Sequence, residues 1–232
     1  MSLIQRSLVS GISQIFSEAV FYKKTSSKVV SLTIDDVGDA DTLKILDVID
    51  DFNQNITDEN ERISATFFVI TDYLDDSGMM LDEILNRGHE IGNHGQKDHR
   101  HALLTATEFE REVNQAHQIL SRKSNANIKW LRPGQAFYNQ AMLRILKEMP
   151  GYYDKFALAS VFPLDTFRPT DNPGFTLRYI SNFIFPGSIL VLHGGSPERT
   201  RNTVNVLSQL LIECKRKAYE VVTLTQLWES HL

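Results

Sequence analysis

Residues 29–52 read VVSLTIDDVGDADTLKILDVIDDF, and this stretch changes character at one point. Val29 to Ile34 is a short run of strand-forming residues whose only polar members, Ser31 and Thr33, are small and uncharged, which suits a strand buried in a core. From about Asp41 to Phe52 the spacing of Leu43, Ile45, Leu46, Ile49 and Phe52 is that of a helix with a wide apolar face. Between them stand Asp35 and Asp36. Adjacent carboxylates at the mouth of a core strand cost stability unless they are paired, hydrogen-bonded or bound to a cation.

The same strand-then-helix unit recurs along the chain. Expected strands are Ala65–Ile70, Glu90–Gly92, Ile128–Leu131, Phe156–Val161, Ile189–Leu192 and Tyr219–Leu224. Expected helices run over about Met79–Arg87 (stopped by Gly88), from the Thr105/Glu108 capping box onward, and over Gln140–Glu148, Phe175–Phe183 and Thr200–Arg216. Repeated units with apolar strands predict an α/β fold with a parallel sheet sheathed in helices. About seven units in one chain of 232 residues favour a (β/α) barrel over an open sheet. Residues 1–28 read as an N-terminal helix and lead-in, and 29–232 as one barrel domain.

Composition narrows the function. With 42% hydrophobic and 23% charged residues and a net charge of −5, the chain is ordinary globular and carries no basic patch for nucleic acid. The single cysteine, Cys214, cannot form an intrachain disulfide and reads as a small core residue. No segment is apolar enough for a membrane span or a secretory signal, so a cytoplasmic protein and an exported one with its signal trimmed both stay open, as does the oligomeric state. Leu3, Leu8, Ile12, Ile15 and Phe16 fall on one helical stripe, expected to dock the N-terminal helix.

Function in parallel α/β folds sits at the C-terminal ends of strands, and here those ends deliver polar groups. The first gives Asp35 and Asp36, which should point in different directions, one towards a metal and the other towards substrate. As helix-dipole partners alone, acids such as Asp39 and Asp41 need no further role. The third end gives His94 with Asp98 and His99, a carboxylate–imidazole group suited to zinc. Asp98 reaches His94 if the loop is helical, and His99 competes if it is not; His101 reads as a surface residue. Arg132, before Pro133-Gly134, is placed to hold a carboxylate by two parallel hydrogen bonds. Asp165 ends a later strand. His193, exposed to a cleft by Gly194-Gly195, reads as a general acid rather than a core histidine.

LTIDD, GHEIGNHGQKDH, LRPGQAFYN, SVFPLD and GSILVLHGG, in that order, resemble the five motifs of the polysaccharide deacetylases of carbohydrate esterase family 4, from about Val29 to Leu227. The resemblance implies a distorted (β/α) barrel of seven or eight units and an N-deacetylase of N-acetylglucosamine-containing glycans. It makes Asp36 and His94 ligands of a divalent metal, zinc, with Asp98 or His99 as the third. Asp35 becomes the catalytic base, Arg132 the residue that holds it, His193 the acid and Asp165 its orienting partner. The chain departs from the family at three points: Asp35-Asp36 is followed by Val37-Gly38 rather than Gly-Pro, Asp98 replaces the second metal histidine, and Gly134-Gln135 replaces Pro-Tyr. Those departures keep two alternatives in play, a C–N hydrolase of a small amide or imide and a glycan-binding homologue without catalysis.

Overall fold

The computed structural model describes residues 2–124, 126–161 and 172–230. Its centre is β2 (Val29–Val37), buried along its whole length. On one side β2 pairs with β3 (Ala65–Val69), and on the other with β6 (Ile189–His193); β4 (Glu90–Asn93) lies outside β3. β7 (Glu220–Val222) pairs with the start of β2, just below β3, where the Ser64 N–H donates to the Val221 carbonyl at 3.2 Å. Every one of these pairings is parallel. That is what apolar strands without alternation require, because both faces of such a sheet must be covered.

The residues between 156 and 161 bring the two edges together. β5 (Phe156–Ala157) pairs with the short β1 (Ala19–Val20), and the Ala157 N–H donates to the Leu131 carbonyl at 3.0 Å. Leu131 itself bridges Asn93, at the end of β4, while Val161 bridges Leu190 in β6. One segment therefore touches both edges, and the sheet curls into a distorted barrel. The sequence spacing predicts regular strands over 128–131 and 156–161. Only a bridge forms at Leu131, and the second strand breaks after Ala157. The break has a local cause: Ile189 N–H donates to the Ser160 hydroxyl at 3.0 Å, so a side chain stands in for a ladder carbonyl where the segment crosses between edges.

Helices α2 (Thr42–Asn53), α3 (Met79–Asn86), α4 (Ala106–Ser124), α5 (Gln140–Glu148), α6 (Pro173–Phe183), α7 (Pro197–Arg216) and α8 (Leu224–Glu229) follow the strands. The capping box read at the start of α4 forms: Glu108 accepts from the Thr105 N–H at 2.9 Å and its own N–H donates back to the Thr105 hydroxyl. The main core joins β2, β3 and β6 to α2 and α7 through Leu32, Ile34, Phe67, Leu192 and Leu207. Cys214 is buried in α7, and burial pushes its thiol pKa up to about 12, as suits a packing residue. The first helix, α1 (Ser2–Ile15), docks differently from the stripe reading. Among its described side chains Val9 is the buried one, whereas Leu8, Ile12, Ile15 and Phe16 are exposed; Leu3 lies outside the residues whose side chains are described. Among the described residues no helix is long and apolar enough to cross a membrane.

Candidate active site

The acids that interrupt the first strand do not end it. β2 runs on through Asp35 and Asp36 to Val37, but its register with β3 slips: Ile34 faces Phe67 and Val37 faces Val69, so three steps on β2 match two on β3. That is a β-bulge, and Asp36 occupies it with a φ of 57°, a left-handed conformation that aspartate tolerates better than most residues. The bulge changes where the side chains point. Instead of facing opposite ways, both carboxylates meet the His94 ring, with Nε2 3.3 Å from Asp36 Oδ1 and 4.0 Å from Asp35 Oδ2. Gly195 makes room for the bulge, since a Cβ there would stand 2.9 Å from the Asp36 Cβ.

Arg132 fixes the first carboxylate. Its Nη1 donates to Asp35 Oδ1 at 2.5 Å and to the Thr33 hydroxyl at 2.8 Å. Nε donates to the Ala157 carbonyl at 3.0 Å, and the guanidinium lies 4.0 Å from the centre of the Phe68 ring. The contact is single rather than the two-pronged one the sequence suggests, because the backbone carbonyls of the closing segment take the other donors. Burial pulls the guanidinium pKa down while Asp35 opposes it, and arginine keeps its charge under such conditions.

His94 is oriented by backbone. Its Nδ1 lies 2.8 Å from the Arg132 carbonyl, which can only accept, so Nδ1 carries the proton. The neutral ring then turns an Nε2 lone pair towards two carboxylates, an arrangement that needs a proton or a metal ion between them. Burial alone would depress the ring's pKa, but Asp36 and Asp35 outweigh it and hold it above the ordinary value. For Asp36 burial pushes upward, and His94 with its neighbours brings the pKa below the usual range. His193 stands opposite Asp35 in the β2–β6 register, half-buried, with its backbone carbonyl accepting from the Thr203 hydroxyl at 2.6 Å.

The loop after His94 takes neither of the paths foreseen for it. It is a series of bends, not a helix, and Glu112 of α4 draws it away. Glu112 accepts from the Gln96 and Lys97 N–H groups at 3.2 and 3.4 Å, and its carboxylate lies 3.0 Å from His99 Nε2 and 3.2 Å from His101 Nε2. His99 is thus committed to Glu112. His101 is fully buried, not a surface residue, because it is the floor of this loop. Among the described residues His99, His101 and Glu112 are the side chains whose ligand atoms gather within 4.8 Å as a metal site would. Hydrogen bonding argues for a structural role instead. The Gly134 N–H donates to His101 Nδ1 at 2.8 Å, so Nε2 holds the proton and donates it to Glu112, leaving no lone pair for a metal.

Asp98, expected beside His94, is largely exposed and lies 4.0 Å from the Arg199 guanidinium. The same Nη1 donates to Asp36 Oδ2 at 3.4 Å. Sequence reasoning missed Arg199, although one signal was present: an arginine in the first turn of a helix opposes the dipole and calls for acids nearby. Tyr73 was also missed. Its ring lies 3.4 Å from the position of a Cβ on Gly195, and burial with Asp98 and Asp36 raises its phenol pKa. Asp165 lies outside the described residues.

Four polar side chains from three strand ends thus converge beside a half-buried histidine. A family model described as polysaccharide deacetylase matches residues 22–153, more than half of the chain. The chain belongs to the polysaccharide deacetylase family. Over 208 residues it is 26% identical to a peptidoglycan-N-acetylglucosamine deacetylase of Bacillus cereus, covering 87% of this chain and 68% of that one. Among solved structures, the Bc1960 peptidoglycan N-acetylglucosamine deacetylase superposes with a TM-score of 0.78 at 22% identity, over 93% of this chain and 95% of the other. BA3943, a family pseudoenzyme from Bacillus anthracis, superposes at 0.74 with 19% identity, over 91% and 69%. At these identities the two structures speak to the fold, and the fold therefore does not separate an active member of the polysaccharide deacetylase family from an inactive one.

Proposed function

We propose that this polysaccharide deacetylase family member is a metal-dependent hydrolase that removes the acetyl group from N-acetylglucosamine units of a glycan, of peptidoglycan or chitin type. The observation that carries the reading is His94 Nε2 facing Asp36 Oδ1 at 3.3 Å while Nδ1 is taken by the Arg132 carbonyl. Two ligands about 2.0–2.1 Å from a tetrahedral ion lie roughly 3.3–3.4 Å apart, so the spacing of this pair suits zinc. The fit stops at two side chains, since Asp98 stands outside and faces Arg199.

A bound divalent ion would polarise the acetyl carbonyl and acidify a water molecule. The chain's own residues supply the proton transfers. Arg132 occupies Asp35 Oδ1, leaving Oδ2, on the His94 side, to take the proton of the attacking water. His193, beside Asp35 across the β2–β6 pairing, would donate a proton to the departing nitrogen. Water adds to the carbonyl carbon, the C–N bond breaks, and acetate and a free amine leave. In the family pattern Asp165 orients His193.

A second reading, a glycan-binding homologue without catalysis, is favoured by one observation: Asp98 and Asp36 both face Arg199. Acetate release from N-acetylated chitooligosaccharides and from peptidoglycan fragments separates the two readings. Activity removed by a chelator, restored by zinc and abolished in Asp35→Asn supports the deacetylase. Retention of glycan with no acetate release under any divalent metal supports the second.

A further inference from the structure

Among the described residues Arg199 is the basic side chain that joins the two acids flanking the proposed metal position. Its Nη1 lies 3.4 Å from Asp36 Oδ2 and 4.0 Å from Asp98 Oδ2. It is one-third exposed, and Asp36 is almost wholly buried. The buried carboxylate therefore has a neighbour on each oxygen, the His94 ring at Oδ1 and the guanidinium at Oδ2. A divalent ion on Asp36 and His94 would place a further positive charge next to that guanidinium, and like charges at such separations repel strongly in a site screened from water.

We propose that Arg199 is an internal counter-cation that sets the metal affinity of this site: its guanidinium bridges Asp36 and Asp98, and a divalent ion binds only by displacing it. This rests on the reading of Asp36 and His94 as the metal pair. Displacement also explains the position of Asp98. While Arg199 is in place, Asp98 is held outward; once it leaves, Asp98 loses its cationic partner and can turn inward as a third ligand. Arg199 also borders a narrow crevice between α6 and α7 with Asn172, Thr176 and Asn202, so the side chain lies at the edge of the site rather than locked inside it.

The experiment measures zinc affinity by competition with a chromophoric chelator, for the wild type and for Arg199→Met, Asp98→Asn and Asp36→Asn, each checked for folding by its thermal transition. Arg199→Met should bind zinc at least tenfold more tightly than wild type, and Asp98→Asn more weakly. Asp36→Asn should lose the site. If Asp36→Asn binds zinc like wild type, the metal pair itself is wrong. If Asp36→Asn loses the site but Arg199→Met binds no more tightly than wild type, the metal pair stands and the counter-cation role falls. The wild type gives a second readout that needs no variant. Labelling of Arg199 by phenylglyoxal, followed on its peptide by mass spectrometry, should accelerate when zinc is added. Unchanged or slower labelling under saturating zinc would overturn the proposal.

Discussion

Arg132 shows how a single residue carries both stability and chemistry. Replacing it with methionine leaves the Asp35 carboxylate buried without its cation and strips donors from Thr33 and two backbone carbonyls. Breaking a buried pair from one side costs about 3–5 kcal/mol, so urea unfolding of Arg132→Met should show a loss of that order. Thr33→Val, which removes one hydroxyl from the same network, should cost only about 1 kcal/mol. Equal losses in the two variants would mean that the ion pair is not what matters. Glu112 lends itself to a pH test. Burial opposes its ionisation, yet hydrogen bonds from His101 and His99 outweigh that and bring its pKa from 4.5 to about 2. Because the folded value lies below the unfolded one, the stabilisation is fully present above about pH 4.5 and is lost as pH falls towards 2. Melting temperatures followed from pH 6 to pH 2 should fall more steeply for wild type than for Glu112→Gln, the two converging at the acid end; parallel curves would contradict the assignment.

At the scale of elements, two departures from the family pattern turn out to be one structural change. The loop after His94 is held down by Glu112 and His101, and His101 Nδ1 is satisfied by the Gly134 N–H. A proline at position 134, as in the family pattern, has no N–H to give. Nor is there room for a side chain, since a Cβ on Gly134 would lie 2.0 Å from the His99 carbonyl oxygen. Gly134 and the path of the 95–101 loop therefore depend on each other. Gly134→Ala forces backbone apart and should destabilise by about 1–3 kcal/mol, read from thermal or urea unfolding. Gly11→Ala, in a helix with open space around it, serves as the reference and should be neutral or stabilising by up to about 1 kcal/mol. If both substitutions behave alike, the close approach of Gly134 to His99 carries no weight. None of this was legible locally, because the residue that draws the loop, Glu112, lies on a different element. Reading His94 and Asp98 by their spacing assumed a helix that Glu112 prevents.

Across the whole molecule, what could be read in advance followed from burial. A continuous apolar run such as Ile189–Leu192, and a run of strand formers such as Val29–Ile34, declare parallel strands, and the amphipathic stretches after them declare the covering helices. What escaped was set by long-range contact: the bulge at Asp36, which needs no glycine to announce it, and the closing segment 156–161, too broken to read as two edges meeting. The site depends on that closure, since Asp35, His94 and Arg132 reach one another from separate strands. An ion bound by Asp36 and His94 ties β2 to the end of β4, and binding to the folded state alone stabilises it by mass action. At a free zinc concentration one hundred times the dissociation constant the gain is about 2.7 kcal/mol. For a domain of this size that corresponds to a rise in melting temperature of roughly 5–11 °C. Wild type should show this shift on titration with zinc, and Arg199→Met should reach it at lower zinc concentration. Asp36→Asn should show none. A zinc-induced shift that survives in Asp36→Asn would place the ion elsewhere, and no shift at any concentration would leave Asp36 and His94 joined by a proton alone.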